Sequence, residues 1–190
     1  MLEFGYEEFQ LETMMNERTP NSVVKEALDL AELNSEDLLV DLGSGDGRVV
    51  FLAADVYKCK AIGVDFQEDF VIQCRELAEY LNLDDRAHFI RGEVAQTNFS
   101  CGTVAFIHLP SELFRPTSEL YCRMVDFLRN GGRVLSISFP IDFLSPSKVL
   151  ANKERQIYMY NQTSVETPVL IKDLKDPRQI QVPADVQSMF

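Results

Sequence analysis

Basic residues are scarce in this sequence. Eighteen Lys and Arg stand against 30 Asp and Glu, so the 190-residue chain carries a formal net charge of −12. Such a surface repels phosphate backbones and anionic membranes, which makes both poor default partners. Long apolar runs are missing too: none approaches the roughly 20 residues needed to cross a bilayer. The N-terminal segment, MLEFGYEEFQLETMMNER, is acidic and lacks a basic stretch followed by an apolar one. No secretory signal is read there, and a cytoplasmic location is expected. Cys59, Cys74, Cys101 and Cys122 form no C-x-x-C pair, and His88 and His108 stand alone. Neither a metal site nor a disulfide framework is therefore expected. Internal repeats and low-complexity segments are also absent.

What is present suits one domain with a sizeable core, since 46% of the residues are hydrophobic. Thr19-Pro20 reads as a helix cap and first helical position, before apolar residues at Val23, Val24, Ala27, Leu28 and Ala31. Short apolar runs at 38–42, 60–65, 87–91, 103–109 and 133–139 suit buried parallel strands. Between them lie helix candidates, one beginning at Arg48. A second has Phe70, Val71, Cys74, Leu77, Ala78 and Leu81 on one face, and a third has Leu120, Met124, Phe127 and Leu128. The segment 156–162 alternates, and 167–172 is expected to pair with it as an antiparallel edge. The pattern predicts an α/β fold: a doubly wound, mostly parallel Rossmann-like sheet with an antiparallel C-terminal edge. Ligands of such sheets bind beyond the carboxyl ends of the strands. Residues 173–190 are polar, contain Pro177 and Pro183, and read as a tail or docking arm.

The segment most suited to chemistry is Asp41-Leu42-Gly43-Ser44-Gly45-Asp46-Gly47-Arg48. Alternating glycines between a strand and a helix permit a tight turn and let a ligand touch bare backbone. The dinucleotide fingerprint requires a glycine where Arg48 stands, and the Gly-Lys-Ser/Thr ending of a P-loop is absent. An acid at the strand end followed by G-x-G-x-G instead resembles the first motif of class I S-adenosylmethionine (SAM)-dependent methyltransferases. That ligand has no phosphate. Its ammonium group calls for a carboxylate such as Asp41, while its thioether stem would cross the backbone of Gly43, Ser44, Gly45 and Gly47. Asp65, ending the second strand, could accept both ribose hydroxyls. Phe66 could cover the adenine, and Glu93, after the third strand, could meet its amino group. Each acid alone could be a solvated strand end; the ordered set is far more specific.

From Thr19 to about Tyr160 the chain further resembles the seven-strand protein lysine methyltransferases, of archaeal and mitochondrial type, and more distantly the non-SET histone lysine methyltransferases. Thr19-Pro20 before Val23-Val24 resembles their threonine loop over the methionine end of SAM. DLGSGDGRVV is the group's form of the first motif. FIHLPSEL, at 106–113, occupies the stretch where the family reads like LYLLPEV, and GGRVLSISFPI, at 131–141, resembles its fifth strand. Relatives often carry Ser-His near Ser138, where this chain has Ser138-Phe139. The Asn-Pro-Pro-Tyr signature of amino-methylating nucleic-acid and glutamine enzymes is absent, as are the catalytic cysteines of base C5 methylases.

The resemblance implies SAM as methyl donor, with S-adenosylhomocysteine as product, and a protein with a lysine-rich segment as acceptor. A lysine amine has a reference pKa of about 10.4, so it must lose a proton before attack, and a narrow dry channel favours its neutral form. His108, Phe139, Tyr158 and Tyr160 are the candidate channel residues. Each has a structural alternative: a hydrogen-bonded histidine, plain core for Phe139, and one face of an edge strand for the tyrosines. Asp46 and Arg48 could pair with each other or with the entrance loop. The expected division is an extension at 1–18, a methyltransferase domain at 19–172 and a tail at 173–190. A metabolite methyltransferase and a catalytically silent SAM-binding subunit remain competing readings. A nucleic-acid methyltransferase is a further one, disfavoured by the acidic charge.

Overall fold

A computed structural model describes residues 18–151 and 153–166. Seven strands form one sheet: β1 (Leu38–Leu42), β2 (Lys60–Asp65), β3 (Ala87–Arg91), β4 (Val104–Ile107), β5 (Arg133–Ile137), β6 (Lys148–Ala151) and β7 (Gln156–Tyr160). Their order is β3-β2-β1-β4-β5-β7-β6. The pairings from β3 through β5 are parallel, and β7 runs antiparallel to both β5 and β6. The reversed strand thus lies one position in from the edge. Its second partner is β6, in a stretch that showed no strand signal, because β6 is short and mostly exposed. Both edges of β7 are occupied; its expected partner, 167–172, lies outside the described residues.

Alternation along the strands divides the core in two. Leu39, Phe106, Leu135, Ile137, Ile157 and Met159 pack beneath α1 (Asn21–Leu30), α2 (Arg48–Leu52) and α3 (Glu68–Tyr80). Val40, Leu42, Ala105, Ile107, Val134 and Tyr160 face α4 (Glu119–Arg129) on the other side. A short α5 (Gln162–Glu166) follows β7. Burial on both faces explains the unbroken apolar runs of β1, β4 and β5; β3, expected to be buried, lies at the sheet edge and buries only Ala87 and Phe89.

Three local expectations change. Thr19 does not cap α1: the helix starts at Asn21 with Pro20 as its flanking residue and no side-chain cap. The Thr19 hydroxyl bonds His108 instead. On α3 only Val71, Cys74 and Ala78 are buried, while Leu77 and Leu81 are exposed. A helix resting on the outer strands of a sheet buries a narrower stripe than the full apolar pattern suggests. Finally, β5 stops at Ile137 rather than continuing to Phe139, because Ser138 adopts φ +66°.

Candidate functional site

The chain leaves β1 and turns towards β2 on one side and β4 on the other, so the direction of winding reverses between β1 and β4. A cleft of about 740 Å³ opens beyond the strand ends there, within the size range of small-molecule sites. Its walls come from the segments following β1, β2, β3 and β4, with Arg18 and Thr19 closing one side.

The glycine turn forms the floor. Gly43 and Ser44 donate from their backbone nitrogens to the Val64 carbonyl at 2.8 and 3.0 Å, which ties the turn to β2. Gly45 has φ +49°, and a Cβ there would meet no atom within 4 Å. Gly47, at φ +75°, is different: a Cβ would lie 2.8 Å from the Phe89 ring and 2.9 Å from Cys74 Sγ. Gly47 is absent from the cleft lining, so its smallness serves packing of the turn onto α3 and β3. Ser44 is buried, its side chain turned onto Gly63, and it lines the cleft with Gly43 and Gly45.

Asp41 projects from β1 into the cleft with 3% of its surface exposed. Its carboxylate accepts no hydrogen bond among the described residues. Burial, followed by the charges of Asp65 and Asp46, pushes its carboxyl from the ordinary 3.8 up to about 8. Such a group calls for a cation from outside the chain. Asp65, also buried, accepts from Gly45 N at 2.8 Å through Oδ2 and from Gln67 N at 2.9 Å through Oδ1. A carboxylate offers about four acceptor positions, so each oxygen keeps one for a ligand hydroxyl. Phe66, 44% exposed, and Glu93 stand at the rim. The Glu93 carbonyl accepts from Gln96 N and Thr97 Oγ1, which holds the turn that brings Val94 and Ala95 into the wall.

On the entrance side, Arg48 donates to Asp46 through Nε and through Nη2, at 2.9 and 2.5 Å, and to the Thr19 carbonyl at 2.8 Å. Arg18 lies 3.6 Å from Asp46. Both pairings open to Asp46 and Arg48 therefore occur, and the hydrogen bonds from Arg48 hold the Asp46 carboxyl below its ordinary range. Thr19 is buried and lines the cleft, its Oγ1 2.9 Å from His108 Nδ1.

Of the candidate channel residues, His108 lines the cleft. The Phe139 ring stacks on it, with centroids 6.3 Å apart and planes at 28°, from outside the lining. Tyr158 and Tyr160 are not brought to the site. They point into the layer under α4, opposite to the parity that carries Phe106 and His108 into the cleft. The Tyr160 hydroxyl accepts from Ile141 N, and burial pushes its pKa up to about 12. Sequence reasoning missed the far wall, formed by Leu109, Pro110, Leu113 and the start of α4. Pro110, three residues beyond the end of β4 (which stops at Ile107 rather than at 109), was the available signal. Among the described residues, no group of His, Cys, Asp and Glu converges to hold a metal ion, and no helix is long and apolar enough to cross a membrane.

Known proteins share the sequence pattern and the fold. The chain is 29% identical over 150 residues to a protein-lysine N-methyltransferase from Saccharolobus islandicus (strain REY15A), covering 75% of this chain and 89% of that one. An RNA methyltransferase from Salinibacter ruber, solved with S-adenosyl-L-homocysteine, superposes with a TM-score of 0.72 at 27% identity. That match covers 84% of this chain and 99% of the other. A geranyl diphosphate methyltransferase solved with SAM shares the fold at 15% identity, with a TM-score of 0.61 over 75% of this chain and 85% of its own. Residues 41–148, more than half of the sequence, match the family described as the ANTKMT methyltransferase domain. The chain belongs to that family and is a class I SAM-dependent methyltransferase.

Proposed function

We propose that the protein transfers the methyl group of SAM to a lysine amine of a protein acceptor. The observation that carries the acceptor class is the 150-residue agreement with a protein-lysine N-methyltransferase. It is supported by membership of the 41–148 family and by a formal charge of −12, which steers a basic segment towards the molecule. The methyltransferase domain is taken as 19–172. The four cysteines are free thiols, Cys59 and Cys74 buried, Cys101 and Cys122 exposed, which supports a reducing, cytoplasmic setting.

The cleft fits the cofactor on its own chemistry. Asp41 is a buried carboxylate without a cation and would hold the ammonium. Asp65 would accept the ribose hydroxyls with its spare acceptor positions, and open space over Gly45 lets the ligand approach the backbone. Phe66 and Glu93 would flank the adenine from the rim. When bound, the cofactor supplies a methyl group already activated on a sulfonium. The protein's work is alignment and exclusion of water. Thr19, held by Arg48 and His108, closes the methionine side of the cleft. His108, backed by Phe139, forms the wall past which the amine enters, and exclusion of water on closure is what would favour its neutral form. Its proton leaves to water or to a hydrogen-bonding group of this wall.

Asp65→Ala removes two charge-assisted contacts to the ligand and also frees Gly45 N and Gln67 N. SAM affinity should fall roughly a hundredfold, as expected for losing about 3 kcal/mol of such bonds. Isothermal titration with SAM measures it; an unchanged affinity refutes the assignment.

The Salinibacter ruber structure favours a second reading, an RNA acceptor. Methyl-labelled SAM incubated with the protein, a proteome extract and RNA separates the two. The lysine reading expects label that proteases release and that hydrolysis recovers as methyl-lysine. Label confined to the ribonuclease-sensitive fraction overturns it, and label in neither favours the silent subunit or a metabolite acceptor.

A further inference from the structure

The segment after β5 holds an unusual conformation for its sequence. Ser138 has φ +66°, and Phe139 N donates to the Ile137 carbonyl at 2.8 Å, closing a three-residue turn around it. Such a turn with a positive φ at its centre is rare and strained, and a residue with a Cβ disfavours it. Glycine would occupy this position freely, yet serine stands there. The surroundings enforce the turn. Ser138 N donates to the Gln156 carbonyl on β7 at 2.8 Å, and Ser136 Oγ donates to the Phe139 carbonyl at 2.6 Å.

Two successive side chains of this turn converge on one imidazole. Ser138 Oγ lies 3.4 Å from His108 Nε2, and the Phe139 ring stacks on the imidazole. From the other side Thr19 Oγ1 lies 2.9 Å from Nδ1. Local strain that tertiary contacts enforce is a pointer to function where it aims groups at a site. We propose that Ser138 is a positioning residue: its strained turn sets the orientation of the His108 ring in the cleft wall by holding Nε2 and seating Phe139 on the ring face. This rests on the reading of His108 as part of the acceptor-side wall. Relief of strain alone would select glycine, and what serine supplies there instead is the hydroxyl beside His108 Nε2.

Two variants separate the hydroxyl from the strain. Ser138→Gly removes both; Ser138→Ala removes the hydroxyl and keeps the Cβ. The 190-residue chain labelled with ¹⁵N-histidine carries His88 and His108, so the ring signals are readily assigned with a His88→Gln control. In both variants the Nε2 resonance of His108 should move while Nδ1, still on Thr19, stays. SAM affinity should remain unchanged, and kcat should fall about tenfold, the equivalent of one lost hydrogen bond. Thermal stability should diverge, with Ser138→Gly equal to or above the wild type and above Ser138→Ala. Unmoved His108 signals, or a Ser138→Gly variant as active as the wild type, overturn the proposal. If the wild type transfers no methyl to lysine, that reading fails alone, because the histidine spectra are read without any acceptor.

Discussion

Asp41→Asn is expected to stabilise the free protein at pH 8 while removing most of its affinity for SAM. The Asp41 carboxyl sits at about 8 in the folded chain against 3.8 ordinarily, chiefly because burial disfavours its charged form. Between those values the folded state binds the proton more tightly than the unfolded state does. The stability this contributes is fully present below about pH 4 and is lost as pH rises through 8. Asparagine cannot ionise, so the variant's stability should stay flatter over the same interval. Its advantage should grow with pH to roughly 2–5 kcal/mol, from a raised pKa at about 1.4 kcal/mol per unit. Denaturant titrations at pH 5, 6, 7 and 8 measure this directly. Ligand binding should show the mirror image. Below pH 8, seating an ammonium against Asp41 must first release its proton. Calorimetry in buffers of different ionisation enthalpy should therefore detect up to one proton released by the wild type and none by the variant. Parallel stability profiles for the two proteins, with equal SAM affinities, would remove Asp41 from the cofactor site.

The second large effect is a contrast between two glycines of one turn. Gly47→Ala should destabilise the fold by about 2–5 kcal/mol, the sum of a left-handed backbone for a residue with a Cβ and an overpacked contact. Its new methyl would lie 2.8 Å from the Phe89 ring and 2.9 Å from Cys74 Sγ, both of them buried. The melting temperature should drop by roughly 5–15 °C for a chain of this size. Gly45→Ala meets no atom within 4 Å and should lose only about 1–2 kcal/mol from its backbone. Its methyl points into open space at the cleft, however, so SAM affinity should fall about 10- to 100-fold. Scanning calorimetry with and without SAM distinguishes the two. A Gly45→Ala variant that SAM stabilises as much as it stabilises the wild type would show that the open space over Gly45 is not where the ligand lies.

The contrast also shows where reading the sequence reached its limit. Five strand positions, the order of elements and the acids at three strand ends were legible, because a strand in the sheet interior leaves a short apolar run, the edge strand β3 still keeps two buried apolar residues, and a glycine turn leaves its own spacing. Gly43, Gly45 and Gly47 look alike in that spacing. Only the arrangement of β3 and α3 shows that Gly47 meets Phe89 while Gly45 meets nothing. Thr19 carried a helix-cap signal, and His108, 89 positions away, claimed its hydroxyl. By sequence, Tyr158 and Phe139 are both candidates for the channel. Strand parity sends Tyr158 to the opposite layer, and the turn at Ser138 brings Phe139 onto His108. By itself, then, the sequence determined the fold class, which follows from local pattern, and the cofactor, which follows from the resemblance carried by a short motif and the acids after it. Which side chains gather around His108 in the cleft wall was decided by tertiary structure. That choice depends on contacts between residues 30 to 90 positions apart, such as Ser138 and Thr19 with His108, which no local periodicity encodes.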